Sequence, residues 1–176
     1  MSWYCDIAPG HPFHGPYHDQ EYGFSLRDDD GLFERMSLEI MQAGLSWLTV
    51  LKKRDAMRLA FDQFSIVKVA AYGEEEVAHL LVNPGIIRNR LKVAAIIENA
   101  RRLEVIIAAH GSFAAWMDKQ TAVSKEDWVK LFRKSFKFMG GEIVGEFLMS
   151  IGRLPGAHRP DCPAQAEIDR LNAQAR

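Results

Sequence analysis

The sequence predicts an all-α domain. Apolar residues recur every three or four positions along most of the chain, no stretch alternates with a period of two, and caps or breakers punctuate the pattern at helical intervals. Asp28, Asp29 and Asp30 offer N-caps to a first helix whose Leu32, Phe33, Met36, Ile40 and Met41 share one face. Gly44 breaks it. A second helix runs from about Ser46 to Phe61 on a stripe of Trp47, Val50, Leu51, Met57, Ala60 and Phe61, interrupted at Arg54. Short helices follow at 67–72 and 74–82, the longest spans about 87–109, and others fit 113–117, 125–135, 142–150 and 164–173. The segment after Cys162 is polar and reads as a loosely docked helix.

With 176 residues, 48% hydrophobic and 26% charged, the chain is long enough for one globular domain over 1–176 with a sizeable core. No apolar run approaches the length of a membrane span, and the N-terminus lacks the basic and apolar regions of a secretory signal, so a cytoplasmic protein is expected. A net charge of −1 argues against a strongly basic nucleic-acid binder but leaves room for a local basic face.

The only two cysteines, Cys5 and Cys162, lie near opposite ends of the chain, with His18 close to the first and His158 four residues before the second. The His-x3-Cys spacing lets both side chains reach one ion, and two thiolates with two neutral imidazoles fill a tetrahedral Zn²⁺ without residual charge. Such a site is structural. His11 and His14 are alternatives to His18 as the near-terminal ligand, and a Cys5–Cys162 disulfide is the competing explanation in an oxidising compartment.

Asn83-Pro84-Gly85 marks a tight turn between two helices, and the second of them opens with Arg88, Arg90 and Lys92. Cations at a helix start oppose the macrodipole, whereas an anion there is held by free N–H groups, an unobstructed Gly85 backbone and the basic side chains together. This spells a phosphate seat; a hairpin with a solvated basic face is the plainer reading. In the first helix Glu39 sits among core-type positions, with Gln42 one turn on and Trp47 just beyond the break. A carboxylate and an amide beside an aromatic plate suit a planar, nitrogen-rich ligand such as a purine. Taken singly, Trp47 also fits a core position and Glu39 a surface charge.

Several blocks together resemble the 3-methyladenine DNA glycosylase I family. They are Cys5 with His18, Tyr17-His18-Asp19-Gln20-Glu21-Tyr22-Gly23, Leu38-Glu39 through Gln42-Ala43-Gly44-Leu45-Ser46-Trp47, Gly85 to Arg90, Phe136-Lys137-Phe138-Met139-Gly140, and His158 with Cys162. The blocks keep the family's order and cover nearly the whole chain. The resemblance implies a helix-hairpin-helix DNA glycosylase with its hairpin at about 74–109. It implies one structural zinc per chain, on Cys5, His18, His158 and Cys162, joining the terminal segments 5–18 and 158–162. Tyr17, Glu39 and Trp47 match the pocket for the excised base, and Asn83 to Arg90 match the hairpin that grips the DNA backbone. Phosphate contact by Arg88, Arg90 and Lys92 is expected from charge and position.

The implied partner is double-stranded DNA carrying alkylated bases, and the implied reaction is hydrolysis of the N-glycosidic bond of 3-methyladenine by a monomer. Most hairpin glycosylases place a catalytic Asp after the hairpin. Here the first is Asp118, beyond the long helix, and the resembled family lacks that residue too. The chain departs from the family at three places: Ile7 replaces a pocket Trp, Tyr22 replaces a Trp, and Gly141-Glu142 replace two threonines. These departures bear on base affinity and range, and they keep open a second expectation: a zinc-stapled glycosylase-like module that binds DNA or a small purine without cutting.

Overall fold

The computed structural model describes residues 3–176. The described residues contain no strand and fold into α1 (Tyr4–Ile7), α2 (His14–Gln20), α3 (Asp29–Gln42), α4 (Trp47–Ala60), α5 (Ile66–Ala70), α6 (Glu74–Val82), α7 (Arg90–His110), α8 (Phe113–Asp118), α9 (Lys125–Ser135), α10 (Gly141–Ser150) and α11 (Pro163–Gln174), as the all-α expectation requires. The chain divides into two compact units. One comprises the residues up to Leu26 together with Gly145–Arg176, and the other is the continuous segment Arg27–Val144.

In the continuous unit the three aspartates predicted as caps serve three different helices. Asp28 caps α3 itself, its carboxylate accepting from the Gly31 amide at 2.8 Å. Asp29 accepts from Phe113 N at 2.8 Å, at the start of α8, and Asp30 from Ile66 N at 3.0 Å, at the start of α5. Each bond satisfies an amide that helix geometry leaves without an internal partner, and each puts negative charge at a positive helix end. The N-terminus of α3 therefore ties three helices together.

The predicted apolar stripes become the core. Leu32, Phe33, Met36 and Ile40 of α3 and Val93, Ile96, Ala100 and Leu103 of α7 are fully buried, and each large apolar side chain so buried contributes about 1.5–3 kcal/mol. The short α5 packs along α7, with Val69 buried. Phe113, Trp116, Phe132 and Phe136 form an aromatic cluster whose neighbouring ring centroids lie 5.3 to 6.4 Å apart.

The longest helix begins at Arg90 rather than at Ile87. Asn89 is extended (φ −122°, ψ 115°) and its side chain accepts from Lys92 N at 3.1 Å, so it is the N-cap, and Arg88 stands before the helix. The sequence pattern also missed α1 and α2, which carry two of the four candidate metal ligands.

The discontinuous unit is held around Gly23. Its φ of +87° suits glycine, and a Cβ there would come within 2.9 Å of Ala157 Cβ and 3.2 Å of His158 Cδ2. The Gly23 amide donates to Ser150 O at 2.9 Å, and the Tyr22 hydroxyl donates to Glu146 at 3.1 Å, tying α2 and the turn after it to α10.

Candidate functional site

Within the discontinuous unit, Cys5 on α1, His18 on α2, and His158 and Cys162 before α11 converge, all four buried, with their ligand atoms within 4.8 Å of one another. Cys5 Sγ and Cys162 Sγ each lie 3.7 Å from His158 Nδ1, Cys162 Sγ lies 3.8 Å from His18 Nε2, and the two imidazole nitrogens are 3.1 Å apart. A tetrahedral ion with bonds of about 2.3 Å to sulfur and about 2.05 Å to nitrogen would separate S from N by about 3.6 Å and N from N by about 3.3 Å. The four side chains fit one metal ion.

The surrounding groups fix which nitrogen of each ring faces the cluster. His18 Nδ1 lies 2.7 Å from the Asp19 carboxylate, which leaves Nε2 for the ion. His158 Nε2 lies 2.5 Å from Tyr22 O, which leaves Nδ1. Each ring thus holds its proton on the outward nitrogen and directs a lone pair inward. Burial pushes the His158 imidazole down, favouring the neutral form that ligates, while it pushes the Cys5 thiol up, so a cation must supply the stabilisation of the thiolate. A cleft of about 390 Å³ lined by Cys5, His18, Asp19, Arg159 and Cys162 gives a path inward.

The alternatives to this ligand set are resolved. His11 Nδ1 accepts from the amides of Phe13 and His14 at 3.1 Å each, so it caps the start of α2, and His14 Nδ1 is 2.8 Å from the Tyr4 hydroxyl. Both cysteines are free thiols.

The second cluster lies at the junction of α3 and α4 in the continuous unit. Glu39 is 4% exposed near the end of α3, and Trp47, half-buried, is the first residue of α4. Gly44 at φ +79° makes the reversal, with Leu45 N bonded to Gln42 O at 2.7 Å and the Gln42 amide directed at Leu45 O at 3.4 Å. Ser46 caps α4 by accepting from Thr49 N at 3.2 Å. Lys92 reaches over from α7, and its ammonium donates to Met41 O at 2.8 Å and Ala43 O at 2.5 Å, satisfying carbonyls that the end of α3 leaves open.

That geometry corrects the expected role of Lys92. The side chain is 5% exposed and its charge is committed to backbone carbonyls, with burial pushing its pKa down, so it holds the junction rather than a phosphate. Arg88, just before α7, and Arg90, its first residue, are exposed. Gly85 packs close to Asn83 and Ala56, where a Cβ would approach each at 3.1 Å, and Asn83 Oδ1 accepts from Gly85 N at 2.8 Å. Lys53 on α4 donates to Pro84 O at 3.2 Å, pinning the turn. Tyr17 is 3% exposed in the discontinuous unit, its ring 5.7 Å from that of Tyr22. Ile7 is exposed.

Sequence reasoning assigned no role to Asp19, although a carboxylate directly after a ligand His was a usable signal. The structural role of Lys92 had no such signal.

Known proteins share this architecture. A crystal structure of 3-methyladenine DNA glycosylase I matches with a TM-score of 0.80 at 37% identity, covering 90% of this chain and 97% of that one. A Tyr-to-Phe variant of a 3-methyladenine DNA glycosylase I in complex with 3-methyladenine matches with the same TM-score at 32% identity, covering 92% and 96%. The fold and its likeness to these structures thus define a helical glycosylase. DNA-3-methyladenine glycosylase 1 of Escherichia coli (strain K12) is 38% identical over 167 residues, 84% of this chain and 89% of that protein, and the methyladenine glycosylase family model matches residues 8–129. The chain belongs to the methyladenine glycosylase family.

Proposed function

We propose that this protein hydrolyses the N-glycosidic bond of 3-methyladenine in alkylated double-stranded DNA, with the α3–α4 junction receiving the base. The supporting observation is that junction: a buried carboxylate, Glu39, and an aromatic plate, Trp47, fixed by Gly44, the Ser46 cap and the Lys92 ammonium, in a chain 32% identical to a glycosylase solved with 3-methyladenine.

The lesion must leave the stack, at a cost of a few kcal/mol that is smallest for a damaged base. Methylation at N3 makes adenine cationic, so its bond to the sugar is already weak and the base departs neutral. Little acid catalysis is needed. Trp47 stacks on the cationic ring and gains a cation–π component. Glu39 accepts hydrogen bonds from the exocyclic amino group and complements the positive charge, and Gln42 maintains the junction between them. By the sequence motif, the Tyr17 hydroxyl orients the base. Normal adenine is neutral and gains neither the charge complement of Glu39 nor the cation–π component on Trp47, which is the basis of selectivity. Gly85, Arg88 and Arg90 hold the DNA backbone at the hairpin.

The ion on Cys5, His18, His158 and Cys162 is zinc in this reading, one per chain, because two thiols and two imidazoles at tetrahedral spacing are its usual donors. It supplies a structural cross-link and takes no part in the reaction. Two cysteines not joined in a disulfide fit a reducing compartment, which supports a cytoplasmic protein, and we take it to act as a monomer. Among the described residues no helix is long and apolar enough to cross a membrane.

The test is to incubate the protein with methylated duplex DNA and identify released bases by mass. Release of 3-methyladenine is expected, together with a fall of about 10²-fold or more in the single-turnover rate of Glu39→Gln while its fold is kept. Absence of release from folded, metal-loaded protein would overturn the assignment in favour of a binding module.

A further inference from the structure

Tyr22 stands in place of the resembled family's tryptophan, and the reaction proposed above makes no use of it. The residue is 9% exposed, so its hydroxyl is nearly out of water and needs a partner. That partner is Glu146 of α10, whose Oε2 accepts from the hydroxyl at 3.1 Å. Glu146 is itself half-buried, on a helix where the next two residues, Phe147 and Leu148, are wholly buried. A carboxylate in such surroundings loses hydration that an exposed position would keep.

Tyr22 is held at three points by three parts of the discontinuous unit. Its amide donates to Tyr17 O of α2 at 2.8 Å, its carbonyl lies 2.5 Å from His158 Nε2, and its hydroxyl is bonded to Glu146. The first two points fix the backbone, and the third fixes how the ring is turned about its side-chain torsions. That ring lies 5.7 Å from the ring of Tyr17 at a tilt of 33°, and 5.5 Å from that of Tyr4, edge-on at 85°. Tyr17, 3% exposed, therefore rests against a ring whose plane is set from α10.

We propose that Glu146 is a positioning residue for base recognition: through the Tyr22 hydroxyl it sets the Tyr22 ring, and that ring holds Tyr17 in the orientation from which its hydroxyl meets 3-methyladenine. This rests on the glycosylase function proposed above and on the role given there to Tyr17. It gives a use to a carboxylate kept beside apolar neighbours. It also accounts for the exchange of an indole, which fills this place by bulk, for a phenol, which needs an acceptor. A mere tether between Tyr22 and α10 would act on melting alone, whereas a positioning contact acts on base affinity.

The test is calorimetric titration of the full-length protein with free 3-methyladenine, alongside metal content and thermal melting. Tyr22→Phe keeps the ring and loses the bond, Glu146→Ala removes the acceptor, and Glu146→Gln keeps one. Base affinity should fall about three- to tenfold in Tyr22→Phe and in Glu146→Ala, part of the worth of one charged hydrogen bond. It should stay within about twofold of wild type in Glu146→Gln, and the double variant should fall no further than either single one, since both changes break the same bond. Metal content should match wild type, which excludes loss of the Cys5–Cys162 cluster as the cause. Base affinity of Tyr22→Phe within about twofold of wild type, or losses that add in the double variant, would overturn this proposal alone. Because Tyr22→Phe removes a single oxygen, it decides the matter even where Glu146→Ala does not fold. Failure of the wild type to bind or release 3-methyladenine would overturn the wider function and this role with it.

Discussion

Removing the metal should destabilise the protein by an amount that the chain topology sets. Cys5 and His158 are 153 residues apart, so an ion holding both closes a very long loop. Treated as a cross-link, that closure removes conformational entropy from the unfolded chain worth about 5 kcal/mol. For a chain of this size each kcal/mol moves the melting temperature by about 2–4 °C, giving a fall of about 10–20 °C for Cys162→Ser or for chelated wild type. The assay pairs metal content by mass spectrometry with thermal unfolding by circular dichroism, with and without chelator. Tyr4, Tyr17 and Tyr22 have rings packed in the same unit as the ligands, so the near-ultraviolet signal of tyrosine should collapse first. Purified protein lacking metal, or chelated protein melting within about 2 °C of the untreated sample, would refute the cross-link.

Other perturbations follow from named contacts. Asp19→Ala frees His18 Nδ1 from its partner and should weaken metal affinity about 10- to 100-fold in a competition titration, with little change in the metal-free melt. Gly23→Ala forces a Cβ to 2.9 Å from Ala157 at a φ of +87°, so a loss of about 2 kcal/mol or more in denaturant unfolding is expected. Lys92→Ala strips the Met41 and Ala43 carbonyls of charged donors and should cost roughly 2–4 kcal/mol, with base release impaired more than DNA binding. The Tyr72 hydroxyl is pushed up by burial and then by its hydrogen bond to Asp62. Above its unfolded pKa of about 10 the unfolded chain loses this proton first, so stability should fall as pH rises from there, and Tyr72→Phe should remove that slope.

Much of this organisation is legible from residue identity because rare or pattern-setting residues mark it. Two cysteines and a His-x3-Cys spacing point to three of the candidate metal ligands, the family resemblance selects His18 over His11 and His14 as the fourth, and apolar periodicity finds every helix from α3 onward, several to within a residue. What escaped has physical reasons. α1 is a single turn and α2 is short and contains Gly15 and Pro16; they are ordered by contacts such as those of His11 and Tyr4 rather than by an amphipathic stripe. The start of α7 is fixed by one Asn89 cap bond, against which Ile87 and Arg88 look equally helical. Lys92 reads as a surface cation because the carbonyls it serves lie 49 and 51 residues away. Phe138 reads as one more apolar residue, although its backbone is left-handed at φ +62° beside the bonds that Asn99 of α7 makes to Lys137, and nothing in an amino-acid type announces that.

The discontinuity of the unit that houses the metal ligands has a consequence for biosynthesis. Translation delivers Cys5 and His18 first, then the whole of the continuous unit, and His158 and Cys162 only near the end. Arg27–Val144 can condense while the earlier segment waits without its partner strands of sequence, holding half a coordination sphere. Filling all four positions would thus require the ribosome to have passed His158 and Cys162: a chain truncated before them retains two of the four donors and should hold a metal ion far more weakly than the complete one.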